Sequence, residues 1–405
     1  MIEFSARFSR LLRPELAADE LASGAEAALG GAGRIGGGFL FATAATGASA
    51  FEIGRVLAER WPEAVLMGSS FQGVLAQGRV WREEPAAGLL VWAQGPVEPI
   101  PVIFDPADVV IEHLAHDLLE AAGCARFTSR DLLLLFPDAL ASSGLEALLA
   151  DLIPRLGEPS VVGAAASGLA GASLAWFGGE EQPAATVGLG IPGGALVSGT
   201  RVQCAGASRF ASPWLQIDAC RARWVDRLDG EPPLDWVRRQ LGLEAAAPVE
   251  PYLDRLLVRL RDESPREAEG ADRIAATDAA GDDFGDFVER YVVGVDDRRG
   301  SISVPGALRR GGQLAFALPD PDRAREALRA AVGALPPSSL LMQFACRARD
   351  EALYGDVDLE SALVAHSARD RAILGTVAPF QLGPDARGRC RVLVHATVLA
   401  ALGDR

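Results

Sequence analysis

At 405 residues, 49% hydrophobic and 23% charged, the chain is long enough for two to three domains with real cores and has an ordinary globular composition. Its net charge of −15 leaves no basic footprint for nucleic acid. Every one of the 39 basic residues is arginine and asparagine is absent, which excludes a P-loop lysine, a Schiff-base lysine and an N-glycosylation sequon. Five cysteines, at 124, 204, 220, 346 and 390, form no Cys-x-x-Cys pair, as expected in a reducing cytoplasm and not in a zinc ribbon. No apolar run reaches the roughly 18–20 residues of a membrane helix. The N-terminus lacks the pattern of a signal peptide.

In chain order, residues 1–37 read as an amphipathic helix and a glycine-rich connector. GAGRIG at 31–36 fits G-x-G-x-x-G, but it follows a helix and precedes a strand, the reverse of a dinucleotide site. Three later segments then share one grammar: strand, helix, strand with a glycine at its end, and further strands. The first runs from Gly38–Ala42 through AVLMGSSFQGV to AAGLLVWA. The second runs from LLLLFPDA through SVVGAAASG to AATVGLGI, and the third from SLLMQFAC through AILGTVAPFQLG to RVLVHATVLAAL. His113 and His116, in the helical stretch IEHLAHDLLE, fit a solvated face better than a metal site, which needs three or four ligands. Neither metal nor cofactor is expected. Between the second and third segments lie further strands, the helix opening at Pro232-Pro233 and a fourth candidate strand, YVVGVDD. Residues 261–286, acidic and weakly periodic, read as a mobile surface segment.

The fold class expected is therefore α/β, mixed α+β: strand–helix–strand units with added antiparallel strands, in mixed sheets covered by helices, packed as two domains. Gly68, Gly163 and Gly375 close the second strand of each unit and put backbone N–H groups at strand ends, where ligands tend to bind. Ser70 imitates a nucleophile, yet G-S-S-F-Q-G is one residue too long for a nucleophile elbow. The equivalent residues in the other units are Ala165 and Val377. The glycine recurs and the serine does not.

The order of these motifs resembles the FIST family, from about residue 38 to the C-terminus. Gly68-Ser69-Ser70 with Gly73 is similar to the family's first glycine turn, and Gly163 with Ser167-Gly168 to its second. Gln203 and Cys204, Leu228-Asp229-Gly230 with Pro232, Gly294-Val295-Asp296, and Cys346 with Arg349 follow in the family's order. The resemblance implies a FIST N-terminal domain at 38–230 and a FIST C-terminal domain at 231–405. Phe380-Gln381 replaces the family's Gly-Glu, which removes a carboxylate and favours a neutral or anionic ligand.

The function that this resemblance implies is a non-catalytic sensory protein of bacterial, cytoplasmic type, binding an amino acid or related small ligand in signal transduction. Output would pass through a separate signalling protein, with neither membrane nor nucleic acid as partner. Candidate ligand-binding residues are Gly68, Ser69, Ser70, Gly163, Ser167, Cys346, Arg349, Gly375 and Gln381. Arg349 suits a carboxylate clamp and Cys346, flanked by Arg347 and Arg349, a reactive thiol. Their bland alternatives are a surface ion pair and a buried hydrophobe. The competing functions are a hydrolase using Ser70 or Cys346 and an interaction scaffold like the F-box-fused relatives.

Overall fold

The computed structural model describes residues 3–403 apart from 96–97, 141–143, 169–172, 183–184, 194–201, 245–246, 262–286, 307, 369–370 and 386–387. All but the first residue of the acidic 261–286 segment lies outside the described residues. Among them no helix is long and apolar enough to cross a membrane.

The chain opens with a strand, β1 (Phe4–Ser9), where only a helix and a connector are expected. Helix α1 (Pro14–Leu29) follows and buries Ala17, Leu21, Ala25 and Leu29 along one stripe. The glycine connector forms a short 3₁₀ turn and becomes β2 (Ile35–Thr43). Helix α2 (Ser49–Arg60) crosses to β3 (Val65–Phe71), parallel to β2. A hairpin, β4 (Gly73–Ala76) and β5 (Arg79–Trp81), leads to β6 (Ala87–Ala93). β6 returns antiparallel between β2 and β1.

The second unit repeats this plan with β7 (Ile100–Phe104), α3 (Ile111–Ala121), β8 (Leu132–Phe136), α4 (Leu145–Leu156) and β9 (Ser160–Ala164). Its hairpin is β10 (Ala175–Phe177) and β11 (Glu180–Glu181), and its return strand is β12 (Thr186–Ile191). His113 and His116 are exposed on α3.

After β13 (Val202–Ala205) the chain leaves to build a separate sheet. This insertion comprises β14 (Ser208–Phe210), β15 (Leu215–Arg221), β16 (Trp224–Leu228), α5 (Pro233–Leu241), β17 (Leu257–Arg261), β18 (Val288–Tyr291), β19 (Gly294–Asp296), β20 (Ser301–Ser303) and β21 (Gln313–Pro319). The expected single strand YVVGVDD is thus two, β18 pairing with β17 and β19 with β20. The third unit resumes with α6 (Pro321–Ala334), whose N-terminal N–H groups are capped by Asp320. Then come β22 (Leu340–Cys346), α7 (Glu351–Tyr354), α8 (Leu359–Ser367), β23 (Ala372–Ala378), the hairpin β24 (Gln381–Pro384) and β25 (Cys390–Leu393), and β26 (Thr397–Leu402).

The hairpins do not return to the sheets of their own units. β4 pairs with β23, β10 with β3 and β24 with β9. The first unit therefore lends its hairpin to the third, the second to the first, and the third to the second. The three six-stranded sheets have one common order, β1-β6-β2-β3-β10-β11 in the first and its equivalents in the others. Each exchanged hairpin covers a strand edge that would otherwise expose unpaired backbone groups. The inner faces of all three sheets share one core, with Phe39, Phe41 and Phe71, Leu134 and Phe136, and Met342 and Phe344 among its members. Helices α1 and α2, α3 and α4, and α6 and α8 cover the outer faces.

The recurring glycine is not a turn at a strand end. Gly68 and Gly375 are the fourth residues of seven-residue strands, and Gly163 the fourth of five. Each lies directly across from an apolar residue of the incoming hairpin: Gly68 from Trp176, Gly163 from Leu382 and Gly375 from Leu75. A Cβ on Gly68 would lie 2.2 Å from Trp176 Cζ2, and one on Gly163 1.8 Å from the carbonyl oxygen of Leu135. These glycines admit neighbouring chain at close approach.

Candidate functional site

One level of the shared core carries polar groups. Strand alternation points Ser69 inward, between Met67 and Phe71 of the core. Its parallel partner is Phe41 and its antiparallel partner Ala175. In the third sheet the equivalent residue is Thr376, between Phe344 and Val74. In the second sheet it is Ala164, and the polar group there comes from its hairpin partner, Gln381. Each sheet thus supplies one polar side chain: Ser69, Gln381 and Thr376. All three are 0% exposed.

The phenylalanines of this level bring the sheets into contact. The Phe41 and Phe136 ring centroids are 5.4 Å apart, and those of Phe136 and Phe344 5.8 Å. On this level Ser69 Oγ, Thr376 Oγ1 and Gln381 Oε1 are buried without a hydrogen-bond partner. Gln381 Nε2 donates to the carbonyl of Ala378 at 3.2 Å. Burying an unpaired hydroxyl or amide oxygen costs about 1–3 kcal/mol, so three on one level are a substantial local cost. The three side chains of this belt carry no formal charge, and their unpartnered atoms are of the kind that hydrogen-bonds a neutral solute.

The other candidate residues lie around this belt or behind it. Ser70 remains within β3 and faces outward; its Oγ accepts the N–H of Leu174 at 2.8 Å, and its carbonyl accepts the N–H of Ser167 at 2.9 Å. Residue 173 ties the same segment to Asp138, whose Oδ2 accepts from the Ser173 N–H at 2.6 Å and from its hydroxyl at 2.7 Å. Ser167 Oγ is buried without a partner. Ala165 N–H donates to the carbonyl of Phe380 at 3.0 Å. The ends of β3, β9 and β23 therefore meet, while Gly68, Gly163 and Gly375 face the helix layers on the opposite side of their sheets.

Arg349 and Cys346 belong to different surroundings. The Arg349 side chain is fully buried, and its Nε donates to Glu360 Oε2 at 2.7 Å. Nη1 donates to the carbonyls of Ala205 and His395, and Nη2 to Tyr354 Oη. Burial opposes its charge, but Glu360 together with Tyr354 and Cys346 more than offsets this and raises its pKa. The guanidinium already clamps a carboxylate, supplied by α8. Cys346 is 1% exposed, its Sγ 3.9 Å from Tyr291 Oη and 3.8 Å from the carbonyl of Pro379. Burial pushes its thiol pKa up, despite the backbone groups of Ala348 and His395 and the Arg349 charge. The activation expected from its flanking arginines is outweighed.

His395 escaped the sequence reading as a site residue. It is 2% exposed, holds a left-handed φ of 55°, and its ring lies tilted to that of Tyr291 with centroids 6.1 Å apart. Burial, reinforced by Arg349, depresses its pKa to about 3. The imidazole is therefore neutral at physiological pH.

Thr376 was also missed. Aligning the glycines would have found it, since Ser69 and Thr376 each follow the strand glycine. The phenylalanines of this level read only as buried strand residues, because periodicity does not show which sheets they bring together.

A search of curated proteins finds no match to this chain. Family models match it twice: FIST N domain over residues 37–231 and FIST C domain over residues 238–378. The second match ends at the last residue of β23. Strands β4, β5 and β13 of the first matched region lie in one sheet with β22 and β23 of the second. FIST domains are associated with sensory signal transduction. With both domains present in the family's order, the chain belongs to the FIST family.

Proposed function

We infer that the protein is a non-catalytic small-molecule sensor whose ligand contacts the Ser69–Gln381–Thr376 belt. The observation carrying this reading is that each sheet contributes one buried, unpartnered polar atom to the same aromatic level. The belt's lack of formal charge favours a neutral ligand, such as an amino-acid derivative with its amine and carboxylate masked, over a free amino acid. Engagement of Arg349 by Glu360 supports the same preference. Ser70 serves as an acceptor for a backbone N–H, and Cys346 is a buried thiol with a raised pKa. These features favour binding over hydrolysis. Ligand occupancy would be transmitted to a separate signalling protein through the hairpin-linked sheets.

Calorimetry against free amino acids, their N-acetyl amides and small carboxylates tests this reading. Saturable binding of the neutral amides, weakened at least tenfold in Ser69→Ala and Thr376→Val, is the expected result. Silence across the panel with folded protein, or binding indifferent to both substitutions, counts against it.

A further inference from the structure

We propose that the third unit holds a second small-molecule site, for a neutral primary amide, between its crossover helix α8 and the outer face of its sheet. Gln343 stands where the other units carry Leu40 and Leu135, each directly across from the strand glycine. Strand alternation points it outward, since Met342 and Phe344 belong to the inner core and Leu341 to the outer cluster. Gln343 is 0% exposed, and both its Oε1 and its Nε2 lack a hydrogen-bond partner.

The helix above it is altered in the same sense. The residue fourteen places before each strand glycine is Gly54, Leu149 and Ser361. In the first unit Trp176 fills this slot: a Cβ on Gly54 would lie 2.6 Å from its Nε1 and one on Gly68 2.2 Å from its Cζ2. In the second unit Leu149, Leu135 and Leu382 fill it. In the third, Ser361 is 0% exposed with Oγ unpartnered, and the hairpin residue across from the strand glycine is Leu75 where the first unit has Trp176, with Val80 beside it and the Gly78 turn against α8. The outer apolar layer, continuous in the other two units, is divided here into two clusters.

The chemistry selects the ligand class. Gln343 presents one acceptor beside two donors, and Ser361 can do either. A carboxylate offers acceptors alone and an ammonium donors alone, whereas a primary amide matches both ends of Gln343. The nearby Arg349–Glu360 pair is mutually neutralised, so no charge is demanded of the solute. This site and the central belt lie on opposite faces of one sheet and need not share an occupant.

Titration of the full-length, ¹⁵N-glutamine-labelled protein with acetamide and then benzamide tests the proposal. Because the chain lacks asparagine, the side-chain amide region contains glutamines alone, and Gln343→Leu assigns the signal. The expected result is a saturable shift of the Gln343 pair that persists in Ser69→Ala/Thr376→Val, where any belt response of the Gln381 pair is weakened, and binding at Gln343 about fivefold weaker in Ser361→Ala, the loss of one hydrogen bond. No saturable shift of the Gln343 pair overturns it. So does an amide-induced rise in melting temperature that persists unchanged in Gln343→Leu. Should Gln343→Leu fail to fold, unweakened binding in Ser361→Ala overturns the proposal by itself.

Discussion

Trp176 of the second unit lies directly across from Gly68 of the first and fills the space that a Cβ at position 68 would need. The relationship makes the glycine a receptor for an exchanged hairpin. Gly68→Ala is expected to destabilise by about 1–3 kcal/mol through overpacking, read as a shift of the urea midpoint. Gly333→Ala, in α6 with nothing within 4 Å of the added carbon, is the control. It is expected to be neutral or to stabilise by up to about 1 kcal/mol.

Arg349 and Glu360 form a buried ion pair that joins the end of β22 to α8. Removing one partner leaves the other charged and buried, so Arg349→Met or Glu360→Gln is expected to cost about 3–5 kcal/mol. The double variant should cost much less than the two losses combined. Additive losses in chemical denaturation would show that the two charges act independently.

His395 gives stability a pH dependence whose sign is fixed by its depressed pKa. The unfolded imidazole binds its proton near pH 6.5, whereas the folded one does so only near pH 3. Within that window the unfolded chain holds more protons, so stability falls as pH falls. The loss from this group is about 2 kcal/mol at pH 5. His395→Asn, which tolerates the left-handed backbone, should flatten stability between pH 7 and pH 5; an unchanged slope would contradict the assignment.

The repeated strand–helix–strand units were legible because buried strands and amphipathic crossovers leave distinct local periods. Hairpin exchange was not, since β4 reads the same whether it pairs with its own unit or with β23. Strand β1 was hidden because FSARFS alternates weakly and its burial pattern is intermediate at four of six positions. Around the candidate site, Ser69 and Gln381 could be named from the sequence. The partner of Arg349 could not: Glu360 lies eleven residues on, within a helix that reads as ordinary. Burial, which raises the Cys346 pKa, depends on packing of β22 that no local charge pattern reveals.

The most direct measurement is the melting of Ser69→Ala/Thr376→Val/Gln381→Val, which gives each position an apolar residue close to those of its counterparts. If the belt is held for a ligand, the variant without ligand should gain about 1–3 kcal/mol and lose stabilisation by any compound that stabilises the natural protein. A fall in stability, with the response to compounds intact, would mean that these polar groups serve the core itself.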